Sequence, residues 1–146
     1  MSEYVHKSHN VSVLMYHLVF PVKYRRKIFT DIVKKMLRVI CIGIEKRYEI
    51  RFLEIGLEED HVHFLVQSVP TYSPKKIVQT IKSITAKKIF LMCPEVREIL
   101  WGGEFWTKGY YVNTVSKHGN ETVISNYVRG QGKKGYEEVY KQQELF

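Results

Sequence analysis

Cysteine is nearly absent from this 146-residue chain: Cys41 and Cys93 are its only two, far apart and without zinc-ligand spacing. They offer no zinc-binding motif, and a reduced, cytoplasmic setting is expected. No apolar run approaches the roughly 20 residues that span a bilayer. The polar opening, Met1 to Asn10, lacks the apolar stretch of a signal peptide, so no membrane partner is expected. There is no Walker-type glycine loop, no internal repeat and no linker, which argues against nucleotide-triphosphate chemistry and for one domain. Prolines are few, four in all, and Pro21, Pro74 and Pro94 fall where elements start or stop. Acidic residues are also in deficit, 15 against 23 lysines and arginines, leaving a net charge of +8. A small basic domain with ten tyrosines and seven phenylalanines suits a polyanion whose bases stack on rings.

What is present is regular. Val11 to Phe20 reads as a strand closed by Pro21. Thr30 caps a helix running to about Tyr48, with apolar positions at Ile32, Val33, Met36, Leu37, Ile40, Ile44 and Tyr48. Glu49 to Leu57 and His61 to Val69 form two further strands, a hairpin joined by Glu58-Glu59-Asp60. Ser73-Pro74 starts a second helix that runs to about Met92 and is ended by Pro94. Tyr110 to Val115 is the fourth strand, with a short one expected at Phe105-Trp106, and Asn120 caps a last helix. The tail, 133–146, adds a charged segment to a core of about 10–132. Strand, helix, strand, strand, helix, strand is the ferredoxin-like order: an α+β fold with an antiparallel sheet, two helices on one face, and the other face open to nucleic acid.

Two features carry chemistry. Asp60-His61-Val62-His63 places two imidazoles on one face of a strand, because side chains alternate. Such a pair is by itself more often incidental than a metal site. On the last helix, Tyr127 and Gln131 are four apart and share a face, offering a nucleophile and a hard oxygen ligand for magnesium or manganese. Tyr127 taken alone is an ordinary core aromatic. Asp60, by alternation, is expected to point away from His61. Two basic segments are candidate DNA contacts: Lys23-Tyr24-Arg25-Arg26-Lys27 in a loop, and Lys75, Lys76 and Lys82 on the second helix. The bland alternative for each is a solvated surface.

Four segments in order resemble one family: Tyr16-His17-Leu18-Val19-Phe20 followed by Lys23 to Lys27; Asp60 to His63; Trp106 with Gly109-Tyr110-Tyr111-Val112; and Tyr127-Val128-Arg129-Gly130-Gln131. Together they resemble the TnpA transposases, small single-tyrosine enzymes of the HUH nuclease superfamily encoded by insertion sequences. The resemblance implies that His61, His63 and Gln131 bind a divalent ion, Mg2+ or Mn2+, and that Tyr127 attacks single-stranded DNA to give a 5′-phosphotyrosine and a free 3′-hydroxyl. It also implies recognition of hairpins at element ends, and a homodimer in which the tyrosine helix acts in trans. Ser116 stands where the family pattern has glycine before that helix. A catalytically inactive nucleic-acid-binding module would use the same sheet face and basic loops but has no need of His61, His63 and Tyr127 together, whereas a host-adopted relative that cuts hairpins without moving an element would share all of these residues.

Overall fold

The computed structural model describes residues 5–7, 10–12 and 14–115; the expected last helix, Ser116, Tyr127, Gln131 and the tail lie outside the described residues. A small hairpin, β1 (Val5–Lys7) and β2 (Asn10–Ser12), precedes β3 (Leu14–Pro21). The single strand expected over Val11 to Phe20 is therefore divided, and β1 precedes the first expected element. After β3 come α1 (Asp31–Arg47), β4 (Ile50–Leu57), β5 (His61–Ser68), α2 (Pro74–Met92), the short α3 (Pro94–Ile99) and β6 (Tyr111–Val115). Pro94 both ends α2 and opens α3, since a proline fits the first turn of a helix and no later one. Phe105-Trp106 makes no strand; Trp106 forms only an isolated bridge to Val22.

The sheet order is β4-β5-β3-β6, antiparallel at every step, which is the ferredoxin-like arrangement. Both long helices begin as their sequence signals require. The Thr30 hydroxyl accepts a hydrogen bond from the Val33 amide and the Ser73 hydroxyl accepts one from the Lys76 amide. Period-two alternation sends Leu18 and Phe20 of β3 and Val62, Phe64 and Val66 of β5 toward the helices, where Val33, Leu37, Ile44, Ile77, Ile81 and Ile89 meet them. Phe64 sits edge-on to Phe20 and Phe52, with ring centroids 5.5 and 5.3 Å apart. Each such fully buried side chain contributes about 1.5–3 kcal/mol. Ile32 departs from the expected stripe: it is 64% exposed.

A bulge at Leu53 shifts the β4 register between Phe52 and Glu54. Phe52, Ile55 and Leu57 then all pack on the helix side, while Leu53 joins Met15, Leu65 and Val115 on the opposite side. That opposite side is not the open platform expected from the fold order. His17, Val19, His61, His63, Leu65 and Gln67 are all buried. They occupy the two central strands, with the side chains of β4 and β6 flanking them.

Candidate active site

β5 starts at His61, and the register places His61 opposite Pro21, His63 opposite Val19 and Gly56. Alternation puts both imidazoles on the face away from the helices, as expected, with ring centroids 5.2 Å apart. The room for His63 comes from Gly56. A Cβ there would sit 3.2 Å from His63 Cδ2, tighter than ordinary contact. Burial disfavours the charged ring: it holds His63 down to about 3, helped by the neighbouring His61 and His17, and it lowers His61 as well. Both rings are therefore neutral near pH 7, and each keeps one nitrogen lone pair.

Asp60 does not point away from His61. Its Oδ1 lies 2.8 Å from His61 Nδ1. Alternation fails here because Asp60 precedes the strand. Its backbone is bent by the connector, whose Asp60 and Glu59 carbonyls accept hydrogen bonds from the Val22 and Phe29 amides. The neutral ring donates Nδ1–H to the carboxylate, which leaves the ring lone pair on Nε2, an atom buried from solvent. The other carboxylate oxygen pairs with Arg25 Nη2 at 3.1 Å. Arg25 belongs to a one-turn 3₁₀ segment, Lys23–Arg25, in which Tyr24 and Arg25 both adopt left-handed backbone (φ 57° and 54°). Two successive non-glycine residues in that region cost about 1–2 kcal/mol each. The hydrogen bonds Val22 N to Asp60 O, Lys23 N to Phe105 O and Arg25 N to Val22 O hold the turn in place.

Residues 10–131 match the family described as "Transposase IS200 like". The chain belongs to the IS200-like transposase family. It is 31% identical over 118 residues to the ISDra2 transposase TnpA of Deinococcus radiodurans, covering 81% of this chain and 84% of that one. It is 29% identical over 116 residues to the transposase for insertion sequence element IS200 of Salmonella typhimurium, covering 80% and 75%. A solved Deinococcus radiodurans structure assigned as a transposase superposes with a TM-score of 0.68 at 27% identity, over 87% of this chain and 98% of that one. A REP-associated tyrosine transposase bound to a REP hairpin shares the fold, with a TM-score of 0.58 at 12% identity, over 88% and 70%.

Several residues around the histidine pair have no ligand or orienting role assigned from the sequence. His17 of β3 lies beside the pair, its ring stacked 6.3 Å from His63 and edge-on to Tyr111 at 5.9 Å. Its parity was the available signal: it shares a face with Met15 and Val19, opposite the core set Tyr16, Leu18 and Phe20. Burial lowers it to about 4. Asp60, Arg25 and Gly56 are legible only once the connector and register are known. Among the described residues no three His, Cys, Asp or Glu side chains form a ready-made ligand group.

The basic residues divide. In the loop segment, Lys23 pairs with Glu104 at 2.8 Å, Arg25 with Asp60 and Lys27 with Glu59 at 3.6 Å, while Tyr24 and Arg26 are exposed. Lys75 and Lys76 are exposed on the first turn of α2, Lys76 over the Tyr72 ring. Lys82 is different: its Nζ donates to the Thr107 carbonyl at 2.6 Å and lies over the rings of Phe20 and Tyr110. Burial lowers it to about 8. It ties α2 to the segment entering β6, unlike the exposed Lys75 and Lys76. Cys41 and Cys93 are both free and buried. No helix among the described residues is long and apolar enough to cross a membrane.

Proposed function

We propose that this transposase cuts and rejoins single-stranded DNA by transesterification, with Tyr127 as nucleophile and His61, His63 and Gln131 as ligands of a divalent ion, Mg2+ or Mn2+. The observation that carries the reading is the histidine pair itself: two neutral, buried imidazoles on one strand face, one oriented by Asp60. That donor set fits a divalent ion, because ligating imidazoles must be unprotonated and are ordinarily held by a carboxylate on the second nitrogen. When bound, the ion supplies charge stabilisation at a non-bridging oxygen of the scissile phosphate. Gln131 would add a hard carbonyl oxygen.

The remaining steps belong to the chain. Tyr127 Oη forms a bond to phosphorus as the bond to the 3′-oxygen breaks, leaving a 5′-phosphotyrosine and a free 3′-hydroxyl. A 3′-hydroxyl then attacks the phosphotyrosine and releases Tyr127. One phosphodiester is exchanged for another, so no triphosphate is consumed. Substrate hairpins at element ends, a homodimer with the tyrosine helix in trans, and a cytoplasmic setting complete the proposal. The DNA contacts are Tyr24, Arg26, Lys75 and Lys76, with Lys23, Arg25 and Lys27 shaping the loop. The hairpin bound to the REP-associated relative supports the substrate class. The test is incubation with hairpin-bearing single-stranded DNA and magnesium. Wild type yields a covalent adduct on a denaturing gel and Tyr127→Phe does not; an adduct in Tyr127→Phe would defeat the assignment.

A further inference from the structure

Trp101 is 81% exposed and Tyr24 is 73% exposed, and the two line one shallow cleft together with Lys23, Arg26, Ile99 and Glu104. One exposed ring is ordinary on a protein surface, whereas two that line the same cleft beside a cation form a patch of the kind that binds a ligand. Trp106, the only other tryptophan, is buried and donates its Nε1–H to the Thr85 hydroxyl at 3.0 Å. Both exposed rings are also presented by backbone that is firmly held. Trp101 rides a turn closed by Gly103 N to Leu100 O at 3.0 Å, in which Gly103 takes φ 82°. A residue with a Cβ adopts that angle only with strain. Tyr24 sits in left-handed backbone within the strained turn described above. The two turns are linked by the Lys23–Glu104 ion pair, which neutralises the cleft's acid, and by Lys23 N to Phe105 O. Arg26 adds an exposed cation with no ion-pair partner among the described residues.

We propose that this cleft is a stacking clamp for the base of an unpaired nucleotide, with Trp101 and Tyr24 as its two rings and Arg26 on the adjoining phosphate. The chemistry is general: an aromatic face accepts any base, and a neighbouring guanidinium holds the backbone. The 3₁₀ turn fixes where on the DNA the clamp acts. Lys23 and Tyr24 of that turn face the cleft, while Arg25 of the same turn holds Asp60, which holds His61. The cleft and the histidine pair are thus joined through one turn, and the clamp is assigned to a nucleotide of the single strand near the phosphate presented to the histidines. The inference rests on the proposed single-stranded DNA substrate and adds a subsite to it. Strained backbone at the turn follows the same logic, since strain persists where the surroundings over-determine a functional conformation.

Emission from the exposed Trp101 gives a direct readout. The full chain is titrated with an eight-residue oligothymidylate, and separately with a hairpin bearing a single-stranded flank, in buffer without divalent ions so that no cleavage competes. Wild-type emission is quenched on binding, and the quench is lost in Trp101→Phe, which still binds within a few fold of wild type. Trp101→Ala and Tyr24→Ala each weaken binding roughly tenfold or more, and abasic nucleotides in the flank reproduce that loss with wild type. Unchanged emission at saturation, or alanine variants that bind within twofold of wild type, overturns the clamp while leaving hairpin cleavage standing. A Trp101→Ala chain whose oligomeric state changes with DNA affinity intact overturns it too, reassigning the patch to contact between copies. Wild type that binds no single-stranded DNA in either form overturns both the clamp and the function beneath it.

Discussion

Asp60 Oδ1 stands 2.8 Å from His61 Nδ1, so a residue that alternation sends to the far side of the strand instead orients the first of the two site histidines. The contact has a partner of its own, Arg25, 3.1 Å from the second carboxylate oxygen. The sequence neighbours Asp60 and His61 are thus joined to a turn that precedes α1. An arrangement of this kind fixes both a tautomer and a ring plane.

Asp60→Ala is expected to weaken Mn2+ binding by about 10–100-fold, the usual scale for losing a carboxylate behind a ligating histidine. Asp60→Asn, which still accepts from Nδ1–H, loses less. Electron paramagnetic resonance titration of free Mn2+ measures this without any cleavage step. Equal affinity in wild type and Asp60→Ala would remove the orienting role.

Gly56→Ala tests the space around His63. The new methyl carbon lies 3.2 Å from Cδ2 and 3.6 Å from Nε2, so the ring must shift by a few tenths of an ångström or tilt. Mn2+ affinity is expected to fall roughly tenfold, comparable to other losses of ligand support, while the chain stays folded by circular dichroism. Unaltered affinity would show that His63 tolerates displacement.

His61→Ala is expected to abolish cleavage of hairpin DNA and leave its binding within about threefold, because affinity for DNA rests mainly on phosphate contacts. Gel-shift and cleavage assays on the same preparation separate the two effects. Parallel loss of binding would indicate that the histidine supports the fold.

Lys82 should behave as an internal tie and not as a DNA contact. Its amine is held at about 8, below its ordinary 10.5, because burial penalises the ammonium. Between those two values the unfolded chain carries the extra proton, so the Lys82 contribution to stability rises with pH across that window and is lost as pH falls through about 8. The urea midpoint of wild type should therefore gain on that of Lys82→Met from pH 8 to 10; a constant difference contradicts the assignment. The salt dependence of single-stranded DNA binding should weaken by about 0.7 in log–log slope for Lys75→Gln or Lys76→Gln, and hardly at all for Lys82→Gln.

The chain by itself determined the elements that local rules control. Thr30 and Ser73-Pro74 announce both long helices through caps that need only neighbouring residues. His61 and His63 share a face because strand geometry leaves no other arrangement. The order of elements likewise specified the sheet, since each short connection restricts which strands can pair. Tertiary structure alone decided the rest. The partnership of Asp60 with Arg25 and His61 depends on the connector being pulled toward Val22 and Phe29 by backbone hydrogen bonds. The interior role of Lys82 depends on the Thr107 carbonyl reaching α2, 25 residues away in sequence. His17 meets His63 only through the β3–β5 register, and Tyr24 and Trp101 line one cleft because two turns distant in sequence are tied by Lys23 and Glu104. Periodicity states which way a side chain points, whereas the identity of what it meets is set by pairing and loop closure across the fold.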